Sequence, residues 1–319
     1  MLTARPAFQT DIDVTDGVLS GPLRAPRQML ARQEYDGHAS IHDDATAQKL
    51  GFQGGTIEGP THFSQFAPLG FSLWGERWFR EGCLSAQYRN AGYEGDGMRA
   101  FMHQPGPGET QAEIWMTRED GLEILRGTAS VGGANPPSAI EAKLADLRPC
   151  EPRVILRDVA PGMLRPRLTV RMHADNQMGA LYPFTLADKL AVITEPSPWY
   201  LSDATGSPWG SPVIPFEMVS VLLHHVATSD PWTVHGPTVD LFTDQEVRMV
   251  AGPLLVGDDY EIEREVIALS GSRRTESVWI RTSVFRPGER EILATMVLSI
   301  ASLKDSYAAY EEDLRRLSD

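Results

Sequence analysis

The chain has 319 residues, of which 42% are hydrophobic and 23% charged, and its formal net charge is −14. This composition is typical of a globular protein large enough for two domains, and the negative charge argues against binding to nucleic acid or to anionic membranes. The two cysteines, Cys83 and Cys150, lie far apart, which excludes a disulfide scaffold and a CxxC-type metal site. Because no apolar signal core or membrane-length apolar run is present, we expect a cytoplasmic location.

The segment from Asp36 to Gly59 concentrates acids and histidines ahead of a glycine-rich turn, in the sequence DGHASIHDDATAQKLGFQGGTIEG. Asp43 and Asp44 precede a short helical stretch and are predicted to cap it. Pro60 then suits the first position of a second, apolar helix, where a missing N–H costs nothing. Acid–base groups beside a helix N-terminus are typical of a site that works on a carbonyl compound.

Long alternating strands follow within residues 84–131, with the clearest alternation at residues 113–117. The stretch 132–152 then reads as a linker that carries a short helix. Ser138 is predicted to cap this helix in a capping box with Glu141. The chain therefore divides near residue 150.

The second half repeats this plan, since an apolar helix after GSPVIPFEMVSVLLHHV precedes alternating strands in residues 239–302. One buried helix wrapped by a long antiparallel sheet, present twice, is the plan of a tandem (double) hotdog fold of the α+β class. We expect an N-terminal hotdog with the motif in residues 1–150. Residues 151–319 are expected to form a degenerate hotdog with a polar C-terminal helix.

The second half lacks the acid- and histidine-rich motif. Its equivalent stretch, residues 200–214, contains no histidine, and only Asp203 and Glu217 are nearby acids. His224 and His225 are predicted to face the core or the helix end. The expected role of this half is to complete the sheet and to shape a substrate tunnel.

The motif resembles the MaoC-like (R)-specific enoyl-CoA hydratase/dehydratase family. The residues that carry the resemblance are an acid, an acidic helix start and a series of spaced small or apolar positions, namely Asp36, Asp43, Ala47, Gly51, Phe52, Ile57 and Gly59. The resemblance implies a double hotdog enzyme that hydrates or dehydrates an acyl thioester, with a CoA ester as substrate. It implies no cofactor and leaves a homodimer open.

The family's catalytic aspartate and histidine can be aligned with this sequence in more than one way. If the downstream spacing fixes the alignment, Asp36 takes the place of the catalytic aspartate, His38 replaces an asparagine, and Ile41 stands at the catalytic histidine position. If His42 is aligned with that histidine, Gly37 replaces the aspartate and the spacing to Gly51 is one residue short. A one-residue bulge could still bring Asp36 and His42 to one site. Glu58 stands where the family commonly has a histidine.

We therefore predict Asp36 and His42 as the acid–base pair, with His38 and Glu58 as further catalytic candidates. The Gly59 amide is predicted to donate to the enolate oxygen of the substrate, and His62, one turn into the helix, to face either the pocket or the core. A metal site formed by the two motif histidines with a nearby carboxylate is an alternative that we do not adopt.

Two other functions remain open from the sequence. Glu58 could act as base or nucleophile in thioester hydrolysis within the same fold. Alternatively, the protein could be a non-catalytic scaffold that binds an acyl chain or a partner protein, because a fold alone does not fix a function.

Overall fold

The structure is a computed structural model that describes residues 6–35, 37–133 and 136–318. The first half contains strands β1 (Asp13–Thr15), β2 (Val18–Ser20), β3 (Glu34–Tyr35), β4 (His38–Ala39), β5 (Gly82–Tyr88), β6 (Met98–His103), β7 (Gln111–Arg118) and β8 (Glu123–Val131). Its helices are α1 (Asp44–Lys49), a 3₁₀ helix (Gly59–Phe66), α2 (Ala67–Trp74) and α3 (Glu76–Glu81), followed by α4 (Ala139–Ala145) in the linker.

The second half contains strands β9 (Leu164–Arg171), β10 (Asp240–Met249), β11 (Asp259–Gly271), β12 (Thr275–Phe285) and β13 (Ile292–Leu303). Its α-helices are α5 (Leu186–Val192), α6 (Phe216–His224) and the C-terminal α7 (Tyr310–Ser318). Short 3₁₀ helices span Pro198–Tyr200, His225–Thr228 and Lys304–Ser306. No helix of the described ranges is long and apolar enough to span a membrane.

One antiparallel sheet joins the two halves in the order β1-β2-β6-β7-β8-β5-β10-β13-β12-β11-β9. Apart from the additional edge strand β1, the order is symmetric about the pairing of β5 with β10. On one side follow β8, β7, β6 and β2, and on the other β13, β12, β11 and β9. The alternating stretches predicted from the sequence lie in β7 and β12. Each half therefore contributes the same strand arrangement to a shared sheet.

The same symmetry relates the chain segments that enter the two central helices. Thr56 bridges Tyr93 in the first half, and Val213 bridges Leu255 in the second. The residue after each bridge makes the same hydrogen bond in both halves. The amide of Ile57 donates to Gly92 O, and the amide of Ile214 donates to Leu254 O. By this correspondence, Glu58 and Gly59 occupy the positions of Pro215 and Phe216.

The two central helices pack against each other inside the sheet. In the first half, Pro60 through Phe66 are all buried, and in the second, Phe216 through Leu223 are buried. Their apolar side chains form one continuous core with the inner face of the sheet, which offsets the cost of burying the helix backbones. The predicted tandem hotdog of the α+β class is confirmed, although the first central helix begins as a 3₁₀ helix.

The predicted helix caps are confirmed at two positions and corrected at a third. Asp43 caps α1 by accepting from the Thr46 amide at 2.8 Å, and Ser138 forms the predicted capping box at the start of α4. Asp44 is instead the first helical residue, and its carboxylate accepts from the Gly55 amide at 2.7 Å. It therefore closes the glycine-rich loop over α1.

Candidate functional site

A cavity of about 650 Å³ lies beside the entrance to the first central helix and is lined by both halves. His42, Glu58, Gly59 and His62 border it from the first half. Its second-half wall includes an apolar surface formed by Leu156, Ala227, Trp232, Leu241, Phe242, Val278, Ile280 and Ile300. The second half also contributes polar residues, among them Tyr182, His224, Asp240 and Thr243. The cavity thus combines an apolar wall with polar groups from both halves, as small-molecule sites commonly do.

His42 is held in one tautomer by the backbone. Its Nδ1 lies 2.7 Å from the carbonyl oxygen of Thr56, and because a carbonyl can only accept, Nδ1 must carry the hydrogen. Burial lowers the pKa of His42 to about 4, despite the Thr56 hydrogen bond, which acts in the opposite direction. At neutral pH the imidazole is therefore uncharged, and Nε2 is its proton-accepting atom.

The glycine-rich turn brings the backbone close enough to support this histidine. A Cβ at Gly55 would lie only 2.1 Å from the carbonyl oxygen of His42, so no larger residue fits there. The same turn leads into Thr56, whose carbonyl holds the imidazole. The glycine-rich turn thus serves to position His42.

Glu58 is a buried carboxyl at the start of the central helix, with 7% of its surface exposed. Its Oε1 has no hydrogen-bond partner among the described residues. Burial raises the pKa of Glu58 to about 7; Lys189 and the Tyr182 hydroxyl oppose the rise, and Glu217 adds to it. A carboxyl with a pKa in this range can hold a proton and release it near neutral pH.

Lys189 and Glu217 bring two further buried charges to the same region from the second half. The Nζ of Lys189 lies 3.3 Å from Oε2 of Glu217 and donates to the Thr61 hydroxyl at 2.9 Å. Both side chains are at most 5% exposed. Burial raises the pKa of Glu217 to about 7, against the charge of Lys189.

Tyr182 connects Glu58 to His224. The Tyr182 hydroxyl lies 3.0 Å from Nδ1 of His224 and is also a hydrogen-bond partner that lowers the pKa of Glu58. His224 borders the cavity, and burial lowers its pKa to about 4. His224 is the last residue of α6, as expected from the sequence, and it also borders the cavity. The second half thus adds polar side chains to the cavity wall.

Gly59 begins the central helix with the Tyr88 ring against its Cα. A Cβ at Gly59 would meet Tyr88 Cζ at 2.4 Å. The ring cannot move freely, because the Tyr88 hydroxyl donates to Gln245 at 2.9 Å, and the Gln245 amide in turn donates to Ser220 at 2.7 Å. Glycine is required here by this close approach.

Replacing Gly59 with alanine is expected to destabilise the protein by about 1–3 kcal/mol, the usual cost of overpacking a core. The physical reason is the fixed Tyr88 ring. Urea unfolding of Gly59→Ala measures the effect, with Gly133→Ala as control because a Cβ at Gly133 meets nothing within 4 Å. In Gly59→Ala/Tyr88→Phe, where the hydroxyl that anchors the ring is absent, we expect part of the loss to be recovered. Equal stability of Gly59→Ala and the wild type would contradict this account.

His62 is 1% exposed and lies in the central helix, where it borders the cavity. Its Nδ1 has no hydrogen-bond partner among the described residues. Burial, aided by the charge of Lys189, lowers the pKa of His62 to about 4. His62 is thus a buried, uncharged histidine at the wall of the cavity, so both sequence-based alternatives for it hold in part.

The structure brings together four of the six predicted site residues, namely His42, Glu58, Gly59 and His62. Asp36 lies outside the described residues, and only the backbone of His38, in β4, is described. The bulge proposed to join Asp36 and His42 therefore stays a prediction. Within the described ranges, no group of three or more His, Cys, Asp or Glu side chains could hold a metal ion.

Sequence reasoning missed Tyr88 and Tyr182, which line the cavity, and Lys189, which contacts the two central helices at Thr61 and Glu217. None of them belongs to a motif, and Lys189 lies 128 positions from Thr61, the residue to which it donates. One signal was present in the sequence, because Glu217 is an acid within an otherwise apolar helix. A buried acid needs a nearby cation or a proton, which could have prompted a search for Lys189.

Comparisons with known proteins find similarity in structure but no match in sequence. No protein-family model matches the chain, and no curated protein matches it significantly. A putative MaoC domain protein dehydratase from Chloroflexus aurantiacus is similar in structure, with a TM-score of 0.50, 13% identity and coverage of 95% of this chain and 99% of that one. This likeness agrees with the tandem hotdog architecture.

Two further solved structures give lower scores. The dehydratase domain of PpsC from Mycobacterium tuberculosis, solved in complex with C12:1-CoA, has a TM-score of 0.47 at 10% identity, covering 94% of this chain and 100% of that one. A putative oleoyl thioesterase from Lactobacillus plantarum has a TM-score of 0.41 at 10% identity, covering 90% and 96%.

Proposed function

We propose that the protein is an acyl-thioester enzyme that hydrates an enoyl thioester, or dehydrates the 3-hydroxyacyl thioester, with a CoA ester as substrate. The observation that carries the proposal is a single cavity bordered by an uncharged histidine, His42, and a buried carboxyl, Glu58, at the start of a central helix. The likeness in fold to a putative MaoC domain dehydratase supports it.

In the hydration direction, Nε2 of His42 accepts a proton from water while the water oxygen bonds to the β-carbon. The carboxyl of Glu58 donates its proton to the α-carbon, so that the double bond becomes a single bond. The product is the 3-hydroxyacyl thioester. A proton passed from His42 back to Glu58 through water restores both groups, so every proton is accounted for.

The developing enolate oxygen needs a donor during this step. Gly59 is the first residue of the central 3₁₀ helix and is followed by Pro60, which has no N–H. The Gly59 amide is thus the available donor at the first turn, since the next amide, that of Thr61, donates to Glu58 O at 3.1 Å. In our proposal, the Gly59 amide stabilises the enolate oxygen.

The proton donor is the point at which the cavity and the family motif suggest different residues. The motif assigns the acid to Asp36, whereas the cavity geometry favours Glu58, whose Oε1 is buried without a partner. The two assignments predict different variants to be inactive. We place the donor at Glu58 and retain Asp36 as the residue to be tested against it.

Thioester hydrolysis is the second candidate function, and the same Glu58 oxygen favours it. A buried carboxylate beside a helix start can activate water for attack on the thioester carbonyl. The products then include a free thiol, which hydration never releases. The two reactions are therefore separable in one assay.

The test is to mix the purified protein with crotonyl-CoA and with longer and aromatic trans-2-enoyl-CoA esters, and to follow the absorbance of the conjugated thioester together with free thiol. We expect absorbance loss without thiol release. Asp36→Asn is expected to retain most of this activity. Thiol release that is abolished in Glu58→Gln would establish hydrolysis instead. An inactive Asp36→Asn variant would move the acid role to Asp36. If the protein turned over no ester at all, a non-catalytic scaffold would be favoured.

A further inference from the structure

The buried ionisable groups around Glu58 include more acids than bases. Glu58 and Glu217 are two carboxyls, whereas Lys189 is the cation that acts on both of them. All three side chains are nearly excluded from water. Two ionised carboxylates with one ammonium would leave an uncompensated buried charge, which is costly.

The contacts distinguish the two carboxyls. Within the described residues, Lys189 lies within ion-pairing distance of Glu217, at 3.3 Å, and no ion pair joins it to Glu58. Glu217 is therefore the carboxylate that the ammonium compensates directly. Glu58 lies outside this ion pair and has the uncharged Tyr182 hydroxyl as its hydrogen-bond partner. The ion pair alone distinguishes the two carboxyls, because Oε1 of Glu58 and both oxygens of Glu217 lack a hydrogen bond within the described residues.

We infer that Lys189 and Glu217 are positioning residues that keep the shared proton on Glu58, so that the second half controls the acid in the site of the first half. The inference rests on the proposed function, because it assigns Glu58 the role of proton donor. Neither residue needs to touch substrate. They act by fixing which carboxyl is neutral.

Other polar groups also face Glu58 from the surrounding elements. Tyr182 approaches from the loop before α5, and Tyr88 approaches from β5. His62 lies in the same 3₁₀ helix and is also close enough to feel the charge of Lys189. These three are uncharged near neutral pH, since burial raises the pKa of both tyrosines and lowers that of His62. The fixed charges that decide the state of Glu58 are therefore Lys189 and Glu217.

Two single substitutions should shift the titration of Glu58 in opposite directions. In Glu217→Gln, the ammonium of Lys189 is no longer compensated and favours the ionised form of Glu58, so the titration midpoint moves to lower pH. In Lys189→Met, the cation is lost, and the midpoint moves to higher pH. Each shift is expected to be about 1–3 pH units, the usual range for a charge close to a carboxyl.

The primary readout is infrared spectroscopy, in which the difference between the wild type and Glu58→Gln isolates the Glu58 carboxyl band over a pH series. The same difference is recorded in the Glu217→Gln and Lys189→Met backgrounds. The double substitution Lys189→Met/Glu217→Gln removes both charges and should give a midpoint between those of the single variants. Lys49→Met, an exposed lysine in α1, is the control and should leave the midpoint unchanged.

The alkaline limb of kcat/KM should follow the same order as the infrared midpoints, which a purely structural role would not produce. Equal midpoints in all variants, or shifts in the same direction, would overturn the inference. Should Lys189→Met fail to fold, Glu217→Gln and the double variant still decide the matter. If the wild type turns over no thioester, the infrared series still tests the inference, so its failure and that of the proposed function are separate results.

Discussion

Glu58→Gln is expected to lower kcat/KM for enoyl thioester hydration by about 10²- to 10⁴-fold, the usual contribution of a positioned proton donor or acceptor. Glutamine keeps the size of the side chain but has no proton to give to the α-carbon. The alkaline limb of the wild-type profile, set by the pKa of about 7 of Glu58, should disappear with it. Steady-state kinetics between pH 5 and 9 measure both effects.

The same substitution should make the protein more stable at alkaline pH. The pKa of Glu58 is about 7 in the folded protein against an ordinary 4.5, so raising the pH from 4.5 to 7 deprotonates the unfolded chain first and destabilises the fold. This penalty is absent below pH 4.5 and complete above pH 7. Removing it should raise the free energy of unfolding at pH 8 by at most about 3.5 kcal/mol, at about 1.4 kcal/mol per pH unit between the two pKa values.

Urea unfolding at pH 5 and pH 8 checks this prediction, with Glu113→Gln as control, since Glu113 is an exposed residue of β7. If Glu58→Gln loses activity and its gain in stability increases with pH, Glu58 serves catalysis at a cost in stability. Full activity in Glu58→Gln would remove it from the mechanism. A loss of stability at every pH would instead assign it a structural role.

His42→Ala is expected to lower kcat/KM by about 10²- to 10⁴-fold as well, because no other group is assigned to accept the proton of water. The loss of the Nδ1–H bond to Thr56 should cost about 0.5–1.5 kcal/mol of stability at neutral pH. His103→Ala, which removes an exposed histidine of β6, is the matched control. Activity close to wild type in His42→Ala would shift the base to another residue, with His38 and His62 the next to test.

The acid side of the stability profile carries a second signature of His42. Its folded pKa of about 4 lies below the ordinary 6.5, so the folded state resists protonation that the unfolded chain accepts. The corresponding stability is fully present above pH 6.5 and is lost as the pH falls towards 4. In His42→Ala, the melting temperature should therefore fall less between pH 7 and pH 5 than in the wild type.

The fold could be predicted from sequence because its signals are local. Alternation in β7 and β12 marks strands with one buried face, and Gly59–Pro60 marks the start of an enclosed helix. The repetition of this order in both halves then points to a tandem arrangement. The pairing of β5 with β10 could not be predicted, since neither strand has a sequence pattern that identifies the strand it pairs with.

Only those residues of the candidate site that lie close together in the sequence could be predicted. His42 and Glu58 are 16 positions apart and share a glycine-rich turn, so a motif could identify both. Tyr182 reaches the same cavity from a distant loop, and Lys189 approaches the central helix from α5 through its hydrogen bond to Thr61. Their placement depends on how two hotdog halves pack, which periodicity does not encode.

A departure from the symmetry of the two halves bears on how many ligands one chain can bind. A homodimer of single hotdogs has two equivalent helix entrances, because a two-fold axis repeats every surface. Here the position equivalent to Gly59 is Phe216, whose ring stacks on Trp78 with centroids 4.9 Å apart and planes 20° from parallel. Aromatic packing fills the second entrance, so the chain should bind one ligand and show no cooperativity between its halves.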